Sequence, residues 1–234
     1  MSEIITSPFF GILISLVAFE IGCFAYKKTK LSLFNPLFIS ILFIIVFLKT
    51  CNINLNSYNV GGNFISLFLT PATVILAVPL YKKLELLKQN SLAILIGITS
   101  GTILGLISIV VLGHIFKLDT LVNTSIISKS ITVPISLEVS KQLGGIPALT
   151  ASVTIFTGIL GTIIGPIICK LFKIKEDIAV GVVFGTASHA IGTTKAMEIG
   201  QTEGAMSSLS IGIAGLMTVF LAPIIYNVLT ILFN

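Results

Sequence analysis

Two short stretches of this chain concentrate groups able to hold an anion or move a proton within surroundings that are otherwise oily. GTASHAIGT, residues 185–193, places Thr186, Ser188, His189 and Thr193 among glycines. A helix starting near Thr186 would turn free backbone N–H groups and a positive dipole end toward an anion. Thr186 and Ser188 would add hydroxyl donors, and His189 is the side chain whose titration suits proton coupling. The alternative is that these groups satisfy one another between packed helices. The second stretch is Ser128-Lys129-Ser130, followed by Thr132 and Pro134. A lysine flanked by hydroxyls ahead of a proline-broken helix suits a small carboxylate, with the ammonium as counter-charge. Its alternative is an interfacial lysine that snorkels to water. Thr70, beside Pro71 in a third interrupted stretch, joins these residues as a candidate substrate contact.

Other ionisable residues take secondary places. Glu138, nine residues after Lys129, is expected to pair with Lys129 or Lys195 and to share the proton-coupling role with His189. Lys141 marks the end of its element. Lys195, Glu198 and Glu203 read as a solvated loop face first and a gate second. Glu20 faces a cavity or pairs with a lysine, and His114 sits at a helix end. No catalytic pattern emerges, because adjacency of Ser188 and His189 does not create triad geometry and no orienting carboxylate can be named. Two distant histidines make no metal site. With no P-loop or dinucleotide fingerprint, the chain is expected to be a non-enzyme that needs no cofactor.

The positioning elements follow from composition. Of 234 residues, 55% are hydrophobic and 10% are charged, and the net charge of +5 comes from lysine alone. Soluble domains carry about 25% charged residues, and several apolar runs reach the ~20 residues a spanning helix needs. The runs are too long and continuous for barrel strands. The expected fold is therefore an all-α polytopic membrane protein in one domain, residues 1–234. It would have six spanning helices, near 8–26, 34–49, 63–81, 91–116, 147–172 and 205–232, with Thr70-Pro71 and Pro79 interrupting the third. Two polar segments, 121–143 and 178–199, read as broken or re-entrant. Most lysines punctuate loops as membrane topology demands, which argues against nucleic acid as a partner and for contact with lipid. Cys23, Cys51 and Cys169 are scattered and decide nothing about redox compartment.

Lys27, Lys28 and Lys30 follow the first run, which reads as a retained helix with its N-terminus outside. Placing Lys82, Lys83, Lys88 and Lys170, Lys173, Lys175 on the same inner side makes 121–143 cross an even number of times, as a hairpin dipping in from outside. There is also an internal echo. TPATVILAVPLYKK and GTASHAIGTTKAME each precede a row of small residues, Gly97, Gly101, Gly105 in one case and Gly204, Ser208, Gly212 in the other. Such rows commonly serve close helix packing, but their recurrence after two broken segments is the pattern of a duplicated, pseudo-symmetric transporter core.

The run SKSITVPISLEVSKQLGGIPALTASVTIFTGILGTIIG, continued by IAVGVVFGTASHAIGTTKAMEIGQTEGAMSSLSIGIAGLMT, resembles the LrgB/CidB family, as do FNPLFISI, SYNVGG and LTPATVILAVPLYKK. The resemblance spans essentially the whole chain. It implies a multi-pass protein of the bacterial inner membrane, working with a small LrgA/CidA-type membrane partner. Two functions attach to it: an antiholin- or holin-like role in murein hydrolase activity and autolysis, and transport of glycolate, glycerate or pyruvate. The transport role is implied by the similar C-terminal half of the plant plastidal glycolate/glycerate translocator and by bacterial relatives. Discontinuous polar helices favour a carrier of small monocarboxylates, proton-coupled through His189, with lysis effects following from organic-acid flux. The lysis regulator is the alternative, and a homo-oligomer fits either.

Overall fold

Continuous apolar runs that begin at proline or a polar residue fold here as long helices, and the polar, glycine-bearing runs fold as interrupted ones. The computed structural model of the protein describes residues 6–29, 34–68, 71, 74–75 and 77–233, and the ordered elements among them are all helices. The chain divides into two compact units, Met1–Ile75 and Leu76–Asn234.

In the first unit, α1 (Pro8–Thr29) packs with α2 (Pro36–Thr50) and α3 (Leu55–Ser66). Asn35 caps α2 by accepting a hydrogen bond from the Leu37 N–H at 2.9 Å, and Pro36 occupies the first turn, where its missing donor costs nothing. Gly11 and Gly61 let α1 and α3 touch backbone to backbone, since a Cβ on Gly61 would lie 2.6 Å from the Gly11 Cα. Ser15 Oγ and the Tyr58 hydroxyl hydrogen-bond at 2.8 Å across the same seam.

The second unit contains α4 (Ala77–Lys82), α5 (Leu84–Gln89), α6 (Ser91–Ile115), α7 (Thr120–Ile126), α8 (Val133–Gln142), α9 (Pro147–Leu171), α10 (Asp177–Ile199) and α11 (Gln201–Phe233). Helices α6, α9, α10 and α11 form its body. Gly181 and Gly185 of α10 lie directly against α11, where added Cβ atoms would meet Met206 and Ser210 at 2.7 Å. Small residues are what permit this approach where lipid offers no hydrophobic drive between helices.

Four helices, α1, α6, α9 and most of α11, are long and apolar enough to cross a membrane, and α2 is a shorter apolar helix of 15 residues. The protein is a polytopic helical membrane protein, as the composition requires. The 63–81 stretch is not one continuous helix: α3 ends at Ser66 and α4 starts at Ala77. Part of that interval lies outside the described residues: Thr70, and with it Ala72, Thr73 and Leu76 of the first copy of the internal echo. Both segments read as broken are broken. The 121–143 segment forms two short helices joined through a turn at 127–132, and α10 is interrupted at His189.

Candidate functional site

The turn at 127–132 exists because Pro134 restarts the chain as a helix that cannot continue α7. Pro134 sits in the first turn of α8, and Thr132 adopts extended backbone at the N-cap without a capping side-chain bond. Ile127 and Ile131 anchor the turn in an apolar cluster with Leu106, Val110, Val139 and Ala222. Between these anchors, Ser128, Lys129 and Ser130 border a cavity of about 750 Å³. The remaining walls come from α6, the first half of α10 and α11.

The glycine row of α6 has a use other than packing. Gly97, Gly101 and Gly105 all line the cavity, and a Cβ on Gly105 would meet nothing within 4 Å. Across from them, Val182 and Thr186 of α10 close the wall, with Thr186 reaching Gly101. Most of the lining is apolar. Lys129 is half-buried, and no hydrogen bond or ion pair engages its ammonium among the described residues. Glu176, the acidic residue on the lining, is exposed ahead of α10. Thr102 and Thr186 both belong to the lining and are 7% and 9% exposed, yet neither hydroxyl has a partner. Unpaired buried hydroxyls are costly and uncommon, which makes two on one cavity informative.

The break in α10 has the opposite character. His189 adopts φ 44° and ψ −141°, a conformation that side chains other than glycine rarely take, and it is only 2% exposed. Its ring Nε2 hydrogen-bonds the Thr154 carbonyl of α9 at 2.9 Å. Gly158 makes room for that ring, since a Cβ there would stand 2.7 Å from His189 Cε1, and Gly161 does the same for Ser188. Thr193 donates to the His189 carbonyl at 3.1 Å and pairs with Ser207 of α11 at 2.7 Å.

The two breaks are linked through α9. Ser128 Oγ meets Ser136 Oγ at 2.9 Å, and Ser136 Oγ meets Thr154 Oγ1 at 3.0 Å, on the same residue whose carbonyl holds His189. A buried polar ladder therefore runs from the cavity wall to α11. Its members satisfy one another, so it acts as a brace.

Of the residues singled out by sequence, Ser128, Lys129, Ser130 and Thr186 share the cavity lining. Thr132 lies beside it as the α8 cap, while Ser188, His189 and Thr193 are buried, the last two as members of the brace. Glu138 corrects the expected pairing: it is exposed and binds Lys141 at 2.6 Å, neither Lys129 nor Lys195, because three residues along one helix bring the two side chains together. Lys195 pairs with Glu198 at 2.8 Å for the same reason. Glu203 departs from the solvated loop face; it is buried in the first turn of α11, where a carboxylate favours the helix dipole. Thr102, Ser136, Thr154 and Ser207 are contributors that sequence reasoning passed over. The four-residue row Thr150, Thr154, Gly158, Thr162 carried a readable signal of a small, polar face, and all four residues are buried.

Fold and site together define a multi-pass helical membrane protein whose interrupted helices surround a cavity with a single unpaired ammonium among the described residues. The profile of the LrgB-like family matches residues 15–228, and the chain belongs to that family. It is similar to the antiholin-like protein LrgB of Bacillus cereus (strain B4264), with 39% identity over 218 residues, covering 93% of this chain and 95% of that protein. The antiholin-like protein LrgB of Bacillus anthracis (strain CDC 684 / NRRL 3495) gives the same figures. No solved structure matches the chain significantly.

Proposed function

We propose that this protein acts as an antiholin-like regulator of lysis in the bacterial inner membrane, together with a small LrgA/CidA-type membrane partner. The observation that carries this reading is the near full-length similarity to proteins named antiholin-like LrgB. Loss of the protein should accelerate detergent-induced autolysis, and re-expression should restore the slower rate. An unchanged lysis rate in the deletion strain would remove the reading. Reporter fusions at both termini test the accompanying orientation, N-terminus outside.

A second reading, favoured by the cavity, concerns the molecular act. Lys129, which shares the lining with Ser130 and Thr186, supplies a counter-charge, and those two residues supply hydroxyls, for one monocarboxylate of the size of glycolate, glycerate or pyruvate. The act would be carriage of that anion, and regulation of lysis would follow from the resulting acid and proton balance. Saturable uptake of labelled acids by proteoliposomes is the expected result. Leakage without saturation would favour a simple pore. Enzymatic chemistry is not part of the proposal: Ser188 packs toward Gly161 while the His189 ring reaches the Thr154 carbonyl, so the adjacent hydroxyl and imidazole have different neighbours.

A further inference from the structure

The cavity is far larger than a two- or three-carbon acid requires, and its chemistry is lopsided. Besides Lys129 and the unpartnered hydroxyls of Thr102 and Thr186, the lining carries a few polar residues such as Asn90, Glu176 and Thr218, and most of the rest is apolar, with Leu106, Ile131 and Val182 among it. Its volume of about 750 Å³ falls in the range of sites that enclose drug-sized ligands, which are mostly apolar with a few placed polar groups. A hydrated glycolate would leave most of the apolar wall unfilled. Gly105 widens the apolar part, because no atom lies within 4 Å of where its Cβ would be.

We infer that the preferred ligand is an amphiphilic monocarboxylate with an unbranched or branched aliphatic body of several carbons, its carboxylate at Lys129 and its body along the α6 glycine row. This rests on the carrier reading above and narrows its substrate class. A single unpaired ammonium matches one carboxylate and disfavours dicarboxylates. Rotation about χ1 exchanges methyl and hydroxyl at Thr102 and Thr186, so each hydroxyl can turn to the anion when it arrives. Glu176 is exposed on the lining and adds no positive charge that would attract a second carboxylate. Each methylene brought from water to the wall tightens binding about fourfold.

The test uses the full-length protein in phosphatidylcholine nanodiscs, titrated calorimetrically with acetate, butyrate, hexanoate and succinate. Affinity should rise about tenfold or more from acetate to butyrate and again to hexanoate, with succinate weakest. Lys129→Met should abolish binding of every acid, and Gly105→Leu should weaken hexanoate at least tenfold more than acetate. Equal affinities for acetate and hexanoate would overturn the inference while leaving a small-anion carrier standing. Hexanoate binding that is indifferent to Lys129→Met, or abolished by anionic phospholipid in the disc, would assign the space to lipid and overturn it as well. Absence of binding by all four acids would overturn both the inference and the carrier reading beneath it.

Discussion

The turn at 127–132 and the kink at His189 both interrupt helices within one unit, and both carry hydroxyls beside a basic side chain. They differ in what surrounds them. The cavity that Lys129 borders is walled mainly by glycines and apolar residues, has open space at Gly105, and leaves the ammonium with no partner among the described residues. Around His189 the neighbours close in: Gly158 and Gly161 admit the ring and the Ser188 hydroxyl, and Thr154 and Thr193 hydrogen-bond the His189 ring Nε2 and carbonyl. A polar helix break inside an oily chain is thus not sufficient to mark a ligand site. The open break leaves the Lys129 ammonium without a partner among the described residues, and the filled break spends His189 and Thr193 on structure.

That contrast predicts different failures at the two places. Lys129→Met should reduce saturable carboxylate uptake about 100-fold, the scale of removing one partner from a buried charge pair, while leaving detergent-solubilised thermal stability nearly unchanged. A parallel loss of stability would mean that Lys129 is structural. His189→Ala should do the reverse, costing about 2–4 kcal/mol of stability through the lost ring contacts and hydrogen bond. His189→Gly should recover about 1 kcal/mol of that loss, because glycine tolerates the positive φ. If glycine is no better than alanine in thermal unfolding, backbone strain is not part of the kink.

Gly158→Ala should cost about 1–3 kcal/mol by forcing a methyl into the imidazole. Gly105→Ala, on the open side, should be neutral or stabilise by up to about 1 kcal/mol through helix propensity. Similar costs at the two glycines would erase the distinction between filled and open breaks. Smallest of all, Glu138→Gln should shift stability by less than about 0.5 kcal/mol, since its partner Lys141 and the carboxylate are both solvent-exposed. A large loss of uptake in that variant would restore Glu138 to the transport path.

Much of this architecture is legible in the sequence. Long apolar runs demanded membrane helices, and Pro134 marked one interruption because proline cannot donate the bond a continuing helix needs. The concentration of hydroxyls at 128–132 and 186–193 correctly located both breaks. The partner of Glu138 was misread because local i,i+3 proximity on α8 outcompeted any pairing across space. Thr102 went unnoticed because one threonine inside an apolar helix has no distinctive local pattern.

Hydropathy, proline placement and the scarcity of charge determined by themselves that the chain would be a bundle of membrane helices with two interruptions. Those properties act through each residue's own transfer energy and backbone restrictions. Only the tertiary structure decided which interruption stayed open. That outcome depends on side chains far apart in sequence, such as Thr154 reaching His189 across 35 positions, and on whether a facing glycine is met by another atom or by empty space.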